Sequence, residues 1–324
     1  MATHLQDRYT GCLLGLALGN ACGAPLEGGW PERLLWRCIG TTRQGEMRWT
    51  DDIQMALDIG EVVLAHGHED GALPVDDIAQ RFARSYRWSR GYGPGAAKVL
   101  RRIRRGVPWQ QASRSVYPAG SWGNGGAMRS PVLALWWPGN AEQRVQSTTA
   151  ITQITHGHAL AIEGAVLIAV ATAAALRGEG APAILLAAMH YAYSAGGGHY
   201  DERLRVASAW LQGAATPSAA EVRQKLGNGM AALESCVTAL YVALRFAGHD
   251  WQAMQAFVAR VGGDVDTIGA MAGALWGAAH GAARLPADAL QRLEQRARIE
   301  AVANGLYARR HAAQGGESVV AVAR

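Results

Sequence analysis

The sequence is short of the features that most readily announce a class of protein. It has only four cysteines, Cys12, Cys22, Cys38 and Cys236, with no CxxC pair and no zinc-ligand spacing. That excludes a disulfide framework and predicts reduced thiols in a cytoplasmic protein. β-Branched alternating runs are scarce, which argues against a sheet. No apolar run is long and uniform enough to suggest a membrane span. The segment AVLIAVATAAAL (165–176) is short and alanine-rich, and it reads as a core helix. There is no internal repeat and no long linker. The net charge is a modest +5. The run Arg101-Arg102-Ile103-Arg104-Arg105 reads as the solvated face of a helix. Without a zinc finger, a helix-turn-helix signature or an aromatic-interleaved basic patch, no direct nucleic-acid binding is expected.

What remains is apolar and small. Hydrophobic residues make up 49% of the 324-residue chain, and there are 40 glycines. This composition predicts helices packed closely through small side chains. The expectation is one all-α domain over 1–312, a flexible tail over 313–324, and a monomer. Near the N-terminus LLGLALGNACGAPLE has the length of a signal core, but only Arg8 is positive before it and Asp7 adjoins that residue. It therefore reads as a helix over 8–22, ended by Gly23, Pro25 and Gly28-Gly29. Further helices are expected from the fifties to Gly67, over IAQRFARSYRW and AAKVLRRIRRG, and after His158. Others are expected near 201–214, 218–226, 230–247 and 250–261. The stretch between Pro108 and Ser121 reads as irregular.

Two acidic clusters stand out against this background. Trp49-Thr50-Asp51-Asp52 opens one helical run, and Gly262-Gly263-Asp264-Val265-Asp266-Thr267 opens another far along the chain. Each Asp has a structural alternative as a helix N-cap. Crowded carboxylates repel, however, and a hard divalent cation removes the repulsion. The two clusters are read as meeting around Mg²⁺ or Mn²⁺. Glu27, in a glycine-flanked break, can approach a ligand closely or stand in solvent. Gly120-Ser121-Trp122-Gly123-Asn124-Gly125 is glycine-rich enough to turn backbone N–H groups toward a phosphate, although it lacks the lysine of a P-loop and no strand precedes it. Trp122 can stack on a base or ribose, or lie in the core. His156 can contact a substrate or serve as a structural hydrogen-bond partner.

With these residues in view the chain resembles the ADP-ribosylglycohydrolases, the family of the dinitrogenase reductase-activating glycohydrolase. The resemblance rests on GLALGNACGAPLE, WTDDIQMAL, GSWGNGGAMRSP, ITHGHAL and GGDVDTIGAMAGALWGA, which occur in the family's order over roughly residues 10–286. RGYGPG, GSWGNGGAMR and LGNGMAALESCVTALYVALR look closest to the branch that removes serine-linked ADP-ribose and degrades poly(ADP-ribose). The resemblance implies an all-α domain with two Mg²⁺ or Mn²⁺ ions that frees ADP-ribose from a modified protein. Thr50, Asp51, Asp52 and Asp266 would hold one ion. Asp264, Asp266 and Thr267 would hold the other, with Asp266 bridging and Glu27 nearby. Gly120 to Gly125 would carry the diphosphate, Trp122 would line the channel, and His156 would contact the substrate. Tyr117 and Met230 are placed at the adenine by their proximity to matching blocks, and Glu27 or Asp51 would assist proton transfer.

Three positions depart from the family pattern. Asn20 and Ile53 stand where the family has Asp and Thr, and Val265 replaces another Thr. Asn20 is expected to affect how metal ligands are oriented. Two other readings compete. DxDxT also occurs in haloacid-dehalogenase-type phosphatases, which need a hydrophobic strand before the first Asp. The remaining reading is a non-catalytic ADP-ribose binder. The acceptor stays open among serine, arginine, polymer and small ADP-ribose conjugates.

Overall fold

Small and apolar residues fill the spaces between glycine and proline breaks, and helices form there. The computed structural model describes residues 2–67, 71–195, 197–213 and 216–311. The chain runs through α1 (Ala2–Gly23), α2 (Trp30–Ile39), α3 (Asp51–His66), α4 (Val75–Ser85), α5 (Pro94–Arg104) and α6 (Trp109–Val116). It continues through α7 (Pro131–Trp136), α8 (Ala141–Gln153), α9 (Ala159–Leu176), α10 (Ala181–Ala195), α11 (Asp201–Gln212) and α12 (Ala219–Lys225). The last five are α13 (Ala232–Arg245), α14 (Trp251–Val261), α15 (Val265–His280), α16 (Ala287–Gln291) and α17 (Arg296–His311). Among the described residues there are no strands, only isolated bridges such as Gly123 with Ala231. The all-α expectation holds.

The centre of the molecule is an antiparallel pair, α1 against α15. Gly11, Gly15 and Gly19 on α1 face Gly277, Gly273 and Gly269 on α15, and Gly23 faces the backbone of Asp266. A methyl group built on any of these glycines of α1 would overlap backbone atoms of α15. The i, i+4 spacing keeps all of them on one face. This close approach brings the last turn of α1 beside the first turn of α15, where the second acidic cluster begins.

Helix α9 lies deep in the core between α7, α8, α10 and α13. It is the helix expected after His158, over ALAIEGAVLIAVATAAAL. Its 18 residues are long and apolar enough to cross a membrane by length and composition, but 78% of them are buried within the fold. Burying a side chain such as Leu167 or Ile168 contributes roughly 1.5–3 kcal/mol each.

The sequence reading named no helix at α7, α8, α10, α16 or α17, and two further segments differ from it. The stretch after Pro108 is not irregular throughout, since it contains α6. Helix α2 follows the Gly28-Gly29 break where none was expected. Arg101, Arg102, Arg104 and Arg105 are exposed around buried Ile103, as expected for a solvated helix face. The expected tail over 313–324 lies outside the described residues.

Candidate active site

The first turns of α3 and α15 point their N-terminal ends at one place, so both helix dipoles favour negative charge there. The N-cap positions are Thr50 and Asp264, and neither makes a side-chain capping bond. The acidic residues are therefore directed into the site and not spent on their own helices.

The α3 end is held by a buried clamp that sequence reasoning missed. Arg90 makes two bonds to Glu294, at 2.6 and 2.9 Å. It also donates to the Trp49 carbonyl at 2.7 Å. Its guanidinium lies 3.7 Å from the centre of the Trp49 ring. Trp49 Nε1 donates in turn to the Glu294 carbonyl at 3.0 Å. Four polar bonds thus fix the residue before Thr50.

At the α15 end, Gly262 and Gly263 both have positive φ, +72° and +75°. This turn lets the Asp264 N–H donate to the Asn228 carbonyl at 2.8 Å. A Cβ on Gly263 would overlap Asn228. Helix α14, and not a strand, precedes the turn, so the DxDxT motif lacks the setting that a dehalogenase-type phosphatase requires.

Asn20 joins the two clusters. Its Oδ1 accepts from the Thr50 N–H at 2.7 Å. Its Nδ2 donates to Thr50 Oγ1 at 2.8 Å and to Asp266 Oδ2 at 3.3 Å. The neutral amide supplies donors that a carboxylate would lack. Thr50 Oγ1 lies 3.3 Å from Asp266 Oδ2 and 3.4 Å from Asp52 Oδ1. Asp52 and Asp266, 214 residues apart by their own numbers (266 − 52), are thus held on one hydroxyl. Carboxylate oxygens of Glu27, Asp264 and Asp266 all lie within 4.8 Å of one another. Asp52 Oδ2 and Asp266 Oδ1 are buried with no hydrogen-bond partner. Oxygen-only donors and buried lone pairs without protons to accept fit a hard divalent cation.

These residues line an open cleft of about 230 Å³. Glu27, Thr50, Asp51, Asp52, Asp264, Asp266 and Thr267 form its floor. Tyr117, Ser121, Trp122, Gly123, Asn124, Gly125, His156 and Met230 form its walls, with Gly91 and Gly93 to Ala96 opposite. Of the expected site residues only Gly120 stands apart. It takes a positive φ of +84° and its backbone abuts Gly157, on the outer side of the loop.

Several wall residues do something other than expected. The Asn124 side chain is drawn to Asp264, donating to Oδ2 at 2.6 Å and to Ser235 Oγ at 3.0 Å. Its backbone N–H is taken by the Met230 carbonyl at 2.9 Å. From Gly120 to Asn124, among the described residues, the amides that meet no acceptor are those of Ser121 and Trp122. Gly125 is needed for a different reason, because a Cβ there would overlap the His156 ring. His156 Nδ1 pairs with Thr155 Oγ1 at 2.8 Å. Burial first, and then Arg129, pushes the imidazole down to about 3, so it is neutral. Arg129, fully buried and also missed in the sequence, donates to Thr155 Oγ1 and the Ile151 carbonyl, each at 2.9 Å.

The whole chain up to residue 316 matches the family model described as ADP-ribosylglycohydrolase. The chain belongs to the ADP-ribosylglycohydrolase family. It is 31% identical to human "ADP-ribosylhydrolase ARH3", with 94% of each chain covered. The bovine protein of the same name is 30% identical, again over 94% of each. A solved structure titled "ADP-ribosylglycohydrolase-related protein complex" superposes with a TM-score of 0.70 at 27% identity, covering 95% of this chain and 99% of that one. The resemblance seen in the sequence is confirmed, and family membership makes the protein a hydrolase with ADP-ribosyl hydrolase activity. Its acidic cluster is a candidate metal site of this ADP-ribosylglycohydrolase.

Crowding of these acids has a consequence for stability. Burial, followed by the charges of Asp264 and Asp52, pushes Glu27 up to about 8. Burial and Asp266 push Asp51 up to about 8 as well. Asp52, Asp264 and Asp266 are raised far above the usual carboxylate range, with burial as the leading cause. Without a cation the folded state therefore binds more protons than the unfolded chain between about pH 4 and pH 8. Stability from these groups is complete below about pH 4 and is lost as pH rises through their folded values. The melting temperature of chelator-treated ADP-ribosylglycohydrolase should fall by on the order of 5 °C from about pH 5.5 to about pH 8. Saturating Mg²⁺ or Mn²⁺ should restore it, measured by scanning fluorimetry. A flat profile that no ion alters would refute the crowding.

Proposed function

We propose that the protein removes ADP-ribose from modified serine side chains of proteins, cutting the O-glycosidic bond at the ribose anomeric carbon with two divalent ions in the acidic floor. The observation that carries this reading is the meeting of three motifs around one floor. Gly91 and Gly93 to Gly95 come from RGYGPG, Ser121 to Gly125 from GSWGNGGAMR, and Met230-Ala231 from LGNGMAALES. These are the blocks most similar to the serine-linked branch of the family. Arginine N-linked ADP-ribose presents the same end to the cleft and is the second reading.

The rim supports a nucleotide. Tyr117, Trp122 and Met230 are 41%, 63% and 61% exposed and all face the cleft. Large apolar side chains left open at a cleft mouth gain from covering by an adenine or ribose face. The N–H groups of Ser121 and Trp122 meet no acceptor among the described residues and are available to a diphosphate.

Thr50, Asp51, Asp52 and Asp266 would hold one ion, and Asp264, Asp266 and Thr267 the other. Bound there, Mg²⁺ or Mn²⁺ would offset the carboxylate charges and lower the pKa of a coordinated water. The chain's own residues supply the rest. Asn124 fixes the Asp264 carboxylate through its 2.6 Å bond. Asn20 and Thr50 fix Asp266. Cleavage of a glycosidic bond passes through an oxocarbenium-like state, for which a nearby carboxylate is the natural partner. Glu27 and Asp51, both lining the cleft, are the carboxyls able to pass a proton between water and the leaving oxygen.

A panel of defined linkages tests the reading, with serine-, arginine- and polymer-linked ADP-ribose each supplied with Mg²⁺, Mn²⁺ or chelator. Free ADP-ribose should appear from the serine conjugate with an ion present and vanish with chelator. Tight binding without release would make the protein a reader of ADP-ribose.

A further inference from the structure

A row of cations runs along α5 away from the cleft. Pro94 lines the cleft and is exposed. Lys98, Arg101, Arg102 and Arg105 follow it at four, seven, eight and eleven residues, the spacing of one helical face. All four are exposed, and none forms an ion pair with a carboxylate among the described residues. With Ser115 and Val116 at the end of α6 they line a second hollow. The next residue, Tyr117, is part of the cleft wall. Its ring lies against Gly95, where a Cβ would overlap it. Tyr117 thus stands between the cleft and the basic hollow.

Like charges three and four residues apart on a helix repel, and no carboxylate among the described residues pairs with them here. The row extends about 16 Å from Pro94 to Arg105 by helix rise. A substrate with a single ADP-ribose has its one diphosphate in the cleft and leaves this row unmet. A chain of ADP-ribose units adds two negative charges per unit beyond the cleft. We propose that Lys98, Arg101, Arg102 and Arg105 form a track for the diphosphates of an ADP-ribose chain, one unit of which occupies the cleft. The proposal rests on the reading of the cleft as an ADP-ribose site. A duplex nucleic acid fits less well, because the row is short, begins at the cleft and carries no aromatic side chain beyond Tyr117.

The test compares the wild-type protein with Arg101→Glu/Arg105→Glu and with the milder Arg101→Gln/Arg105→Gln. Hydrolysis is measured on size-fractionated ADP-ribose chains and on a peptide bearing one serine-linked ADP-ribose. Binding of a fluorescent chain is followed by anisotropy at two salt concentrations. Charge reversal should raise KM for chains about tenfold or more and flatten the salt dependence. Turnover of the mono-modified peptide should stay within about twofold, with unchanged melting temperature, and the glutamine variant should fall between. Equal losses on both substrates, or no loss on chains, would overturn the track. If neither substrate is hydrolysed, the hydrolase reading fails separately and anisotropy still decides. Chain binding weakened about tenfold by reversal supports the track, and unchanged binding overturns it. A duplex DNA that binds wild-type protein more tightly than the chain does would also overturn it.

Discussion

Asp266→Ala should lower kcat/KM by on the order of 10³-fold, about 4 kcal/mol of transition-state stabilisation. Asp266 stands between the two halves of the acidic floor, on the Thr50 hydroxyl and within 4.8 Å of a carboxylate oxygen of Asp264. Its Oδ2 accepts from Asn20 and Thr50, while Oδ1 is buried with no protein partner. An oxygen so placed is either a repulsive burden or a ligand. The two cases separate by stability. Asp266→Asn keeps the volume but removes the charge, so the chelated variant should melt higher than the wild type near pH 8, where the acids repel most. It should be as inactive as the alanine variant and should lose most of the ion-induced rise in melting temperature. Near wild-type turnover, or an undiminished response to Mg²⁺, would sink the assignment of Asp266 to the metal floor. An unfolded variant would show neither pattern, so loss of activity by collapse is recognisable.

The acidic floor was legible in the sequence because its chemistry is local. Asp51 and Asp52 are adjacent, and Asp264 and Asp266 flank one residue, at the mouths of runs that are plainly helical. The supporting groups were not legible, because each acts across the chain. Arg90 clamps Trp49 through Glu294, and neither partner carries a pattern that points to the other. Arg129 reaches His156 through Thr155, and sequence shows only an arginine after a glycine-rich loop. Asn124 looked like a phosphate ligand because of the glycines around it. Those glycines instead admit the His156 ring, and the amide turns to Asp264. Helices α2 and α6 escaped notice for a simpler reason. Each is amphipathic but short, and each starts beside a proline that reads as a break, Pro31 in one and Pro108 in the other. Gly120 belongs to the same loop in sequence, yet its positive φ turns the chain before the cleft begins.

Gly19→Val should be strongly damaging although the glycine places no side chain in the site. The expected result is insoluble protein, or a melting temperature lower by at least about 5 °C. The Cβ would meet the Gly269 carbonyl and the adjoining peptide of α15, all backbone. A side chain can rotate away from a clash, but a helix backbone must move as a body, and α1 is held to α15 along its length by Gly11, Gly15 and Gly23. Overpacking of an ordinary core costs roughly 1–3 kcal/mol, and this site lacks the usual relief. Gly139→Ala is the control, since a Cβ there meets nothing within 4 Å, and its melting temperature should match the wild type. The neighbour of Gly19 is Asn20, which ties Thr50 to Asp266. Any Gly19→Val protein that does fold should therefore bind Mg²⁺ more weakly, read from the ion-induced shift in melting temperature. A valine variant that melts and binds ions like the wild type would mean that the glycine seam does not set the distance between the two halves of the site. The catalytic geometry would then have to be held from the α3 side alone, by Arg90 and Glu294.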